Sequence, residues 1–382
     1  MALRRLAFGL LLAFALLTSQ ISAAYIAAVL LLLVWTAEVV REHRFPEVLR
    51  SPFVFLFFVL GALVILSAVF SRDPAVSSRH LPGLALLLLV PITMDLADTT
   101  ARARQVVLAL SASACALALL GIWQFWHGND ALDNRIRATL SHYMTFSGLT
   151  MVGACLLLGL ALEERGSRRA LGLVCAVPFA AVLLTYTRGA YVGILAALLA
   201  YALVRRPRVL LILAPALLAV FFLAPPEIRE RIRSITDLSD RTNRDRIAMA
   251  RAGARMVADS PIFGLGPDLV PSYYPLYRDP DAPRWRVPHL HNNVLQIAAA
   301  NGVFAAAAYL AIVALFLTRV VFLLRRETRP DRAALWAGAL LAGTALFAAG
   351  LFEYNFGDTE VEMATLLVFA VPFSRAAGAP GE

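Results

Sequence analysis

Two histidines and two asparagines open the segment HLHNNVLQIAAANG, residues 289–302. The segment separates a stretch rich in Arg, Asp, Pro and Tyr from an almost unbroken apolar run that reaches Leu324. Asn292 and Asn293 are good N-caps, so we predict that a helix begins at one of them. The partial positive charge of a helix N-terminus favours a neutral ring at His291, and a neutral imidazole can act as a general base. The alternative is an interfacial histidine that hydrogen-bonds a loop carbonyl.

His289 precedes His291 by two residues, and side chains at that spacing do not share a helix face. We therefore expect only one of the two rings to point into a site. An HxH pair on a strand can form half of a metal site. The neighbouring sequence offers no cysteine or acidic ligand set to complete it. The prediction is that no metal binds here.

Two arginines from separate segments could bind an anion together. Arg188 lies in TYTRGAYVG, between two apolar runs, and Arg246 lies in NRDRIAMARAG. A guanidinium holds phosphate oxygens through two parallel hydrogen bonds and stays charged, so the pair could clamp a pyrophosphate. Gly189 and Gly193 would allow the anion to approach the backbone. The alternatives are a snorkelling Arg188 at a helix end and a solvated basic face around Arg246, balanced by nearby aspartates.

The composition is that of a membrane protein. Hydrophobic residues make up 60% of the 382 residues and charged residues only 16%, whereas soluble domains have about 45–50% apolar and about 25% charged residues. The net charge is +9, and every one of the 35 basic residues is an arginine. Loops that set membrane orientation explain this excess without a nucleic-acid partner. The three cysteines all lie in apolar runs and are expected to serve packing.

Twelve apolar runs are candidates for spanning helices, which need about 17–25 residues each. The runs are 6–20, 21–40, 51–70, 81–97, 105–126, 143–162, 170–186, 189–204, 209–224, 303–324, 333–352 and 360–374. We predict an all-α polytopic membrane protein with about twelve transmembrane helices in one membrane domain, residues 1–382. Helices 1–9 fall in 1–224, a large external loop in 225–290 and helices 10–12 in 291–382. The first run also resembles a signal peptide, but the apolar run that follows it favours a helical hairpin.

The arginines predict which connections share a side of the membrane, because short cytoplasmic loops are rich in basic residues. The arginine-rich connections are 41–50, 98–104, 163–169, 205–208 and 325–332. The opposite side then receives 71–80, 126–142, 185–189, 225–290 and 352–360. Arg188, Arg246 and His291 all fall on this external side.

The external loop is expected to be partly helical. In RDRIAMARAGARMVADS, residues 244–260, one helical face would combine apolar side chains, and Pro261 and Gly264 would end the helix. The residues of that face are Ile247, Met249, Ala250, Ala254 and Val257. The segment 271–288, rich in proline and aromatic residues, predicts irregular backbone at the membrane surface.

Three blocks of this sequence resemble the O-antigen ligase and polymerase superfamily of bacterial inner-membrane glycosyltransferases. The blocks are TYTRGAYVG, RDRIAMARAGARMVADSPIFGLGPD and HLHNNVLQIAAANGVFA, in that order along the chain. The predicted helix number and the large loop after the ninth helix are similar as well. Family members usually carry a tryptophan three residues after the loop arginine, and this chain has Met249 there.

The resemblance implies transfer of an O-antigen glycan from undecaprenyl pyrophosphate to a hydroxyl of lipid A–core. By motif position, His291 would be the general base, and Arg188 and Arg246 would bind the pyrophosphate and stabilise it as a leaving group. Tyr191, His289 and Asn292 of the same blocks would contact substrate. The resemblance further implies an inverting reaction without metal or cofactor. It places the site on the periplasmic side of the bacterial inner membrane, with the loop 225–290 in the periplasm.

Other activities fit the same residues. An O-antigen polymerase would use the same chemistry on a carrier-linked repeat unit, and the sequence does not separate it from a ligase. A protein O-oligosaccharyltransferase is a further relative, although such chains usually carry a larger external region after the last helix. A transporter would place charges near the membrane midplane, whereas most ionisable residues here fall at helix ends or in loops.

Overall fold

The computed structural model describes residues 1–164, 166–223 and 225–377. Its α-helices, in chain order, are α1 (Ala2–Leu17), α2 (Ile21–Arg41), α3 (Pro52–Val69), α4 (Pro74–Ser77), α5 (Leu89–Leu96), α6 (Thr100–Trp126), α7 (Tyr143–Glu163), α8 (Arg168–Leu184), α9 (Arg188–Val204), α10 (Val209–Leu223), α11 (Pro226–Arg233), α12 (Arg241–Asp259), α13 (Val270–Tyr277), α14 (Asn293–Asn301), α15 (Val303–Arg326), α16 (Pro330–Gly350) and α17 (Thr359–Ala370). Over these residues the chain forms no strand, only an isolated bridge between Asp130 and Arg135. The predicted all-α class is confirmed.

Seven helices among the described residues are long and apolar enough to cross a membrane. They are Ile21–Arg41, Pro52–Val69, Pro74–Leu96, Thr100–Trp126, Tyr143–Glu163, Val303–Arg326 and Pro330–Gly350, and α8 and α9 are shorter apolar helices. The protein is thus a multi-pass helical membrane protein, while the count of about twelve spans stays a prediction. Residue 224 of the predicted span 209–224, residue 165 of the connection 163–169 and residues 378–382 lie outside the described residues.

Helices α7 and α16 form the centre of the bundle, with 83% of each apolar window buried. They approach closely because glycines face each other: a Cβ added to Gly159 would lie 2.1 Å from the backbone nitrogen of Gly338. Small residues allow such contact between helices in lipid. Gly193 of α9 packs in the same way, since an added Cβ would lie 2.7 Å from the carbonyl oxygen of Ala345 in α16. The prediction that this glycine admits an anion was wrong, because α16 fills the space.

Ion pairs gather the arginine-rich connections at one end of the bundle. Arg44 bonds Glu38 and the buried Asp95, which joins the connection after α2 to the end of α5. Arg205 bonds the carbonyl oxygens of Leu324 and Glu327, which joins the connections after α9 and α15. The predicted grouping of these loops agrees with the contacts. We call this side the arginine end.

The other predicted group of connections meets at the opposite end. Arg72 pairs with Asp259 of the long loop, and the hydroxyl of Tyr186 donates to the carbonyl oxygen of Asp130. Thr145, at the start of α7, donates to Asp358 before α17 at 3.1 Å. We call this side the loop end. All site residues predicted from the sequence belong to its segments.

The loop 225–290 is folded rather than extended. Helices α12, α13 and α14 share a second core, formed by Met249, Ala252, Met256, Leu265, Leu269, Val270, Tyr274, Val287, Leu290, Ala299 and Ala300. The predicted helix 244–260 is confirmed by α12, but its predicted face was wrong in part. Met249 lies in this core and Val257 packs against it. Ile247, Ala250 and Ala254 are exposed, whereas Gly253 is buried. Close packing explains the difference, because a Cβ on Gly253 would lie 2.8 Å from the side chains of Leu290 and Leu295.

The prediction of irregular backbone over 271–288 was also wrong in part. Helix α13 covers Val270–Tyr277 although it contains Pro271 and Pro275. Pro271 stands in the first turn, where the missing N–H has no intrahelical partner to lose. Burial of Val270 and Tyr274 against α12 and α14 stabilises the short helix.

The helix that begins after Asn292 is separate from the membrane span that follows it. Helix α14 ends at Asn301, and Gly302 has φ 88°, a conformation that glycine adopts without strain. The backbone N–H of Val303 then donates to Pro261 rather than continuing the helix. The carbonyl oxygens of Ala299 and Ala300 accept from Leu265 and Gly266. The expectation that the histidines open a transmembrane helix was therefore wrong, since they open a short helix held by the loop.

Candidate functional site

Both histidines contact one carboxylate. His291 Nδ1 lies 2.8 Å from Glu353 Oε2, and His289 Nε2 lies 3.3 Å from Glu353 Oε1. The expectation that only one ring could enter the site was wrong. These residues precede the helix, and the backbone of His291 has a left-handed φ of 51°, which turns both rings to the same side. The expected cap is confirmed, because the side chain of Asn292 accepts from the backbone of Leu295 at 2.9 Å.

Asparagines fix Glu353 opposite the histidines. Glu353 lies in the connection after α16, and Asn292 donates to the carbonyl oxygen of Leu351 in that connection at 3.0 Å. The buried side chain of Asn293 donates to Asn355 Oδ1 at 2.7 Å and accepts from the backbone of Phe356 at 3.2 Å. The triplet HNN thus places His291 against Glu353 and supplies two anchors for the connection 352–360.

Glu353 is the site residue that sequence reasoning missed. It stands 62 positions after His291, so no local spacing connects them. A signal was present, since its connection 352–360 was assigned to the same side as His291. The sequence analysis concluded that no acidic ligand lies near the HxH pair. This conclusion was wrong, because the fold brings Glu353 to both histidines.

The charges in this cluster follow from burial and contact. Burial raises the pKa of Glu353, but the hydrogen bond and charge of His291 outweigh it and leave the pKa below its usual value. Burial lowers the pKa of His289 to about 4, so this ring is neutral near pH 7. An ionised carboxylate only accepts hydrogen bonds, so the proton between the two groups belongs to His291 Nδ1. In the neutral form of this ring, Nε2 is then the acceptor.

Arg188 is buried, with 4% of the side chain exposed, and it connects α9 to the loop. It donates to the carbonyl oxygen and hydroxyl of Ser234 at 2.8 and 3.0 Å, and to Asp240 Oδ1 at 3.0 Å. Asp240 also caps α12 through the backbone of Thr242 and Asn243. The guanidinium is therefore a partner of the loop and not a snorkelling side chain.

Arg246 is largely enclosed beside these groups. Its Nε is buried and has no hydrogen-bond partner among the described residues. Burial lowers the pKa of this guanidinium, the negative charge of Glu353 opposes that effect, and the positive charge of Arg188 adds to it. An enclosed guanidinium with an unsatisfied donor is suited to an anionic ligand.

Two further arginines contribute positive charge at this end. Arg135 lies 4.3 Å above the ring centroid of Tyr143, and Arg231 donates to the carbonyl oxygen of Tyr186 at 3.4 Å. Burial lowers the pKa of Arg231, and the charges of Arg188 and Arg135 lower it further. The sequence analysis did not single out Arg135 or Arg231, because neither stands in a recognisable motif.

The hydroxyl of Tyr191 donates to the carbonyl oxygen of Leu183 at 2.5 Å. This bond ties α9 to the end of α8, so its one strong donor is already used within the protein. The contact gives Tyr191 a structural role, and its predicted role in substrate binding stays a prediction.

A cleft of about 540 Å³ runs from the loop end into the bundle. Its polar lining residues include Arg79, His80, Asp268, Glu362 and Tyr354, the residue that follows Glu353. Its apolar lining residues include Ala28, Leu32, Leu60, Val64, Leu87 and Ile92. A cleft with both polar and apolar walls is suited to an amphipathic ligand.

Fold and site together define a multi-pass helical membrane protein with a histidine–carboxylate pair, the buried Arg188 and the partly buried Arg246 at the loop end of the bundle. Residues 171–310 match the family model described as O-antigen ligase. Over these residues the chain is similar to that family, whose members are membrane glycosyltransferase-type enzymes of the O-antigen ligase and polymerase superfamily. The matched range contains all three sequence blocks and ends before Glu353. A comparison with curated proteins finds no match.

Proposed function

We propose that the protein is an O-antigen ligase that transfers a glycan from undecaprenyl pyrophosphate to a hydroxyl of lipid A–core. The observation that carries this proposal is the contact of His291 with Glu353, whose carboxylate also feels the charge of Arg246. The family match supports a lipid-linked glycan as substrate. The ligase assignment and the named carrier and acceptor go beyond that match.

His291 acts as the general base in the proposed reaction. Its Nε2 takes the proton of the acceptor hydroxyl while that oxygen forms a bond to the anomeric carbon of the donor. The bond between this carbon and the pyrophosphate oxygen breaks, and the electron pair leaves with the pyrophosphate. Glu353 holds the ring through Nδ1 and stabilises the imidazolium that forms, as a carboxylate does in a catalytic triad. Attack opposite the leaving group inverts the anomeric centre.

Arg246 and Arg188 stabilise the leaving pyrophosphate in this proposal. Negative charge builds on the leaving oxygens as the glycosidic bond breaks, and fixed cations in a site shielded from water stabilise that charge strongly. Arg246 offers its unpaired Nε directly. Arg188 already donates to Ser234 and Asp240. In the proposal, it stabilises the pyrophosphate through its positive charge and through the N–H groups that these two partners do not use. The contacts require no metal for this chemistry.

In the same proposal, the cleft binds the lipid portion of the substrate. The cleft is lined by many apolar side chains and by Tyr354, Phe356 and Gly357 of the connection that carries Glu353. A hydrocarbon chain there would leave its phosphate-bearing head near the arginines. Burial of the chain would stabilise the complex by about 0.8 kcal/mol for each methylene group.

A transfer assay with the purified protein tests the function. The donor is a carrier-linked glycan, and separate reactions offer lipid A–core or a second carrier-linked repeat unit as acceptor. Product on lipid A–core supports the ligase, and elongated carrier-linked product identifies a polymerase instead. Transfer to lipid A–core that persists in His291→Ala would contradict the mechanism. His127→Ala is the matched control, since that exposed ring stacks on Trp123.

The proposal also places the loop end in the periplasm. We expect a membrane-impermeant maleimide to label Ser239→Cys in spheroplasts, and to label Thr328→Cys at the arginine end only after lysis. Both positions are exposed, and the native cysteines are first replaced by alanine. The reverse labelling pattern would refute the periplasmic orientation.

A further inference from the structure

His289, His291 and Glu353 form a three-residue cluster with the composition of a zinc site. Each offers one ligand atom, and these atoms all lie within 4.8 Å of one another. Two imidazoles and one glutamate are the protein ligands of a known type of zinc centre that keeps a fourth position for water. The residues come from two separate connections, so the cluster depends on the fold and not on the HxH spacing alone.

The distances in the cluster are close to those that a metal would require. Zinc bonds of about 2.0–2.2 Å with tetrahedral angles place neighbouring ligand atoms about 3.3–3.5 Å apart. His291 Nδ1 lies 2.8 Å from Glu353 Oε2, His289 Nε2 lies 3.3 Å from Glu353 Oε1, and the three ligand atoms all lie within 4.8 Å of one another. A small rearrangement of these side chains would therefore admit the ion.

The surroundings hold these ligands in place and leave them accessible. The side chains of His289, His291 and Glu353 are 21%, 11% and 12% exposed. Their rings and carboxylate are fixed by the turn at His291 and by the backbone N–H of Tyr354, which donates to Glu353 Oε1 at 3.1 Å. Prepositioned ligands lose little conformational freedom when a metal binds.

We propose that His289, His291 and Glu353 bind one Zn²⁺ ion at the loop end of the bundle. This inference goes beyond the proposed transferase function and does not depend on it. A metal on His291 Nδ1 would replace the bond to Glu353, so zinc binding and the proposed base catalysis exclude each other. The bound ion is thus expected to inhibit transfer.

Calorimetric titration of ZnCl₂ into the full-length protein tests the site. The protein is purified in detergent without a polyhistidine tag and treated with a chelator. We expect saturable binding of one ion per chain. His289→Ala and Glu353→Gln should each weaken the affinity by about tenfold or more, because changes to the residues around a metal typically cost about that much. His127→Ala should bind as the unchanged protein does.

Cobalt provides a second measurement. Co²⁺ at two histidines and a carboxylate should give visible bands without the near-ultraviolet bands of thiolate ligation, which would instead indicate the native cysteines. Absence of saturable binding, cobalt–thiolate bands, or an unchanged affinity in His289→Ala would each overturn the proposal. His289→Ala decides the question if Glu353→Gln fails to fold, because its ring is the more exposed. Zinc binding can fail while transfer persists, and the reverse, so the two proposals are tested separately.

Discussion

Replacement of Glu353 by glutamine removes the negative charge of this side chain and keeps its shape. The variant therefore tests whether the carboxylate orients the ring of His291. One oxygen of the side chain accepts from the backbone N–H of Tyr354 at 3.1 Å. A glutamine keeps its carbonyl oxygen at that N–H, so its NH₂ group then faces His291 Nδ1. Since NH₂ only donates, Nδ1 must accept and the ring proton moves to Nε2. The atom proposed to take the acceptor proton is then already protonated.

The expected loss of activity follows from these contacts. Loss of a hydrogen bond to a charged group costs about 1.5–3 kcal/mol, and each 1.36 kcal/mol lowers a rate tenfold. This contribution alone predicts a decrease in kcat of about 10- to 150-fold. The wrong tautomer raises the loss toward the roughly 10⁴-fold that follows from the same defect in a catalytic triad. The fold should survive, because glutamine has the shape of glutamate.

The assay is steady-state transfer of a carrier-linked glycan at saturating donor and acceptor, with kcat compared between variants. Glu230→Gln is the matched control, since Glu230 is an exposed acid of α11 at the same end. It should keep the activity of the unchanged protein. A Glu353→Gln variant that is folded and transfers within about threefold of that rate would refute the role of Glu353 in holding the base.

Three further outcomes are expected. Arg188→Lys should lower transfer at least tenfold and lower the free energy of unfolding by about 1.5–3 kcal/mol, because an ammonium cannot serve both loop partners; unchanged melting and transfer would show that the fork is dispensable. Gly302→Ala should destabilise the protein by about 1–3 kcal/mol in thermal melts, since φ is 88° and the added Cβ would meet the carbonyl oxygen of Ile262; a normal melt would contradict the break. Burial, with the charge of Glu353, raises the pKa of Asp358 to about 7, so the folded protein holds a proton that the unfolded chain releases near pH 4 and stability falls as pH rises through this window. Asp358→Asn should thus gain melting temperature relative to the unchanged protein at pH 8 but not at pH 4, and an equal difference at both would refute the shift.

The helices and the two ends of the bundle were predictable because their signals are local. Apolar runs give spanning helices, and Asn292 carries a cap signal that needs only its own neighbours. The arginines divide the connections into two groups, and contacts such as Arg205 with Glu327 agree with that division. The blocks around Arg188 and Arg246 likewise led to the resemblance that the family match over residues 171–310 supports.

The rest of the site required the tertiary structure. Glu353 reaches His291 only because α16 returns the chain to the loop end, and no sequence spacing encodes that return. The break at Gly302 is hidden in an alanine-rich run, since the N–H of Val303 finds its acceptor at Pro261, far back in the chain. The buried face of α12 includes Gly253, because only a residue without a side chain fits against Leu290 and Leu295 there. Apolar periodicity does not reveal a face that is selected by size.

The break at Gly302 affects how the bilayer acts on the site. A spanning helix responds to a thicker or thinner membrane by tilting, and α15 is such a helix. An unbroken helix would carry that tilt to its first turn and move any residue there. Here the carbonyl oxygens of Ala299 and Ala300 are bonded to the loop and not to α15. We therefore expect hydrophobic mismatch to be absorbed at Gly302, so that the distance between His291 and Glu353 stays constant when membrane thickness changes.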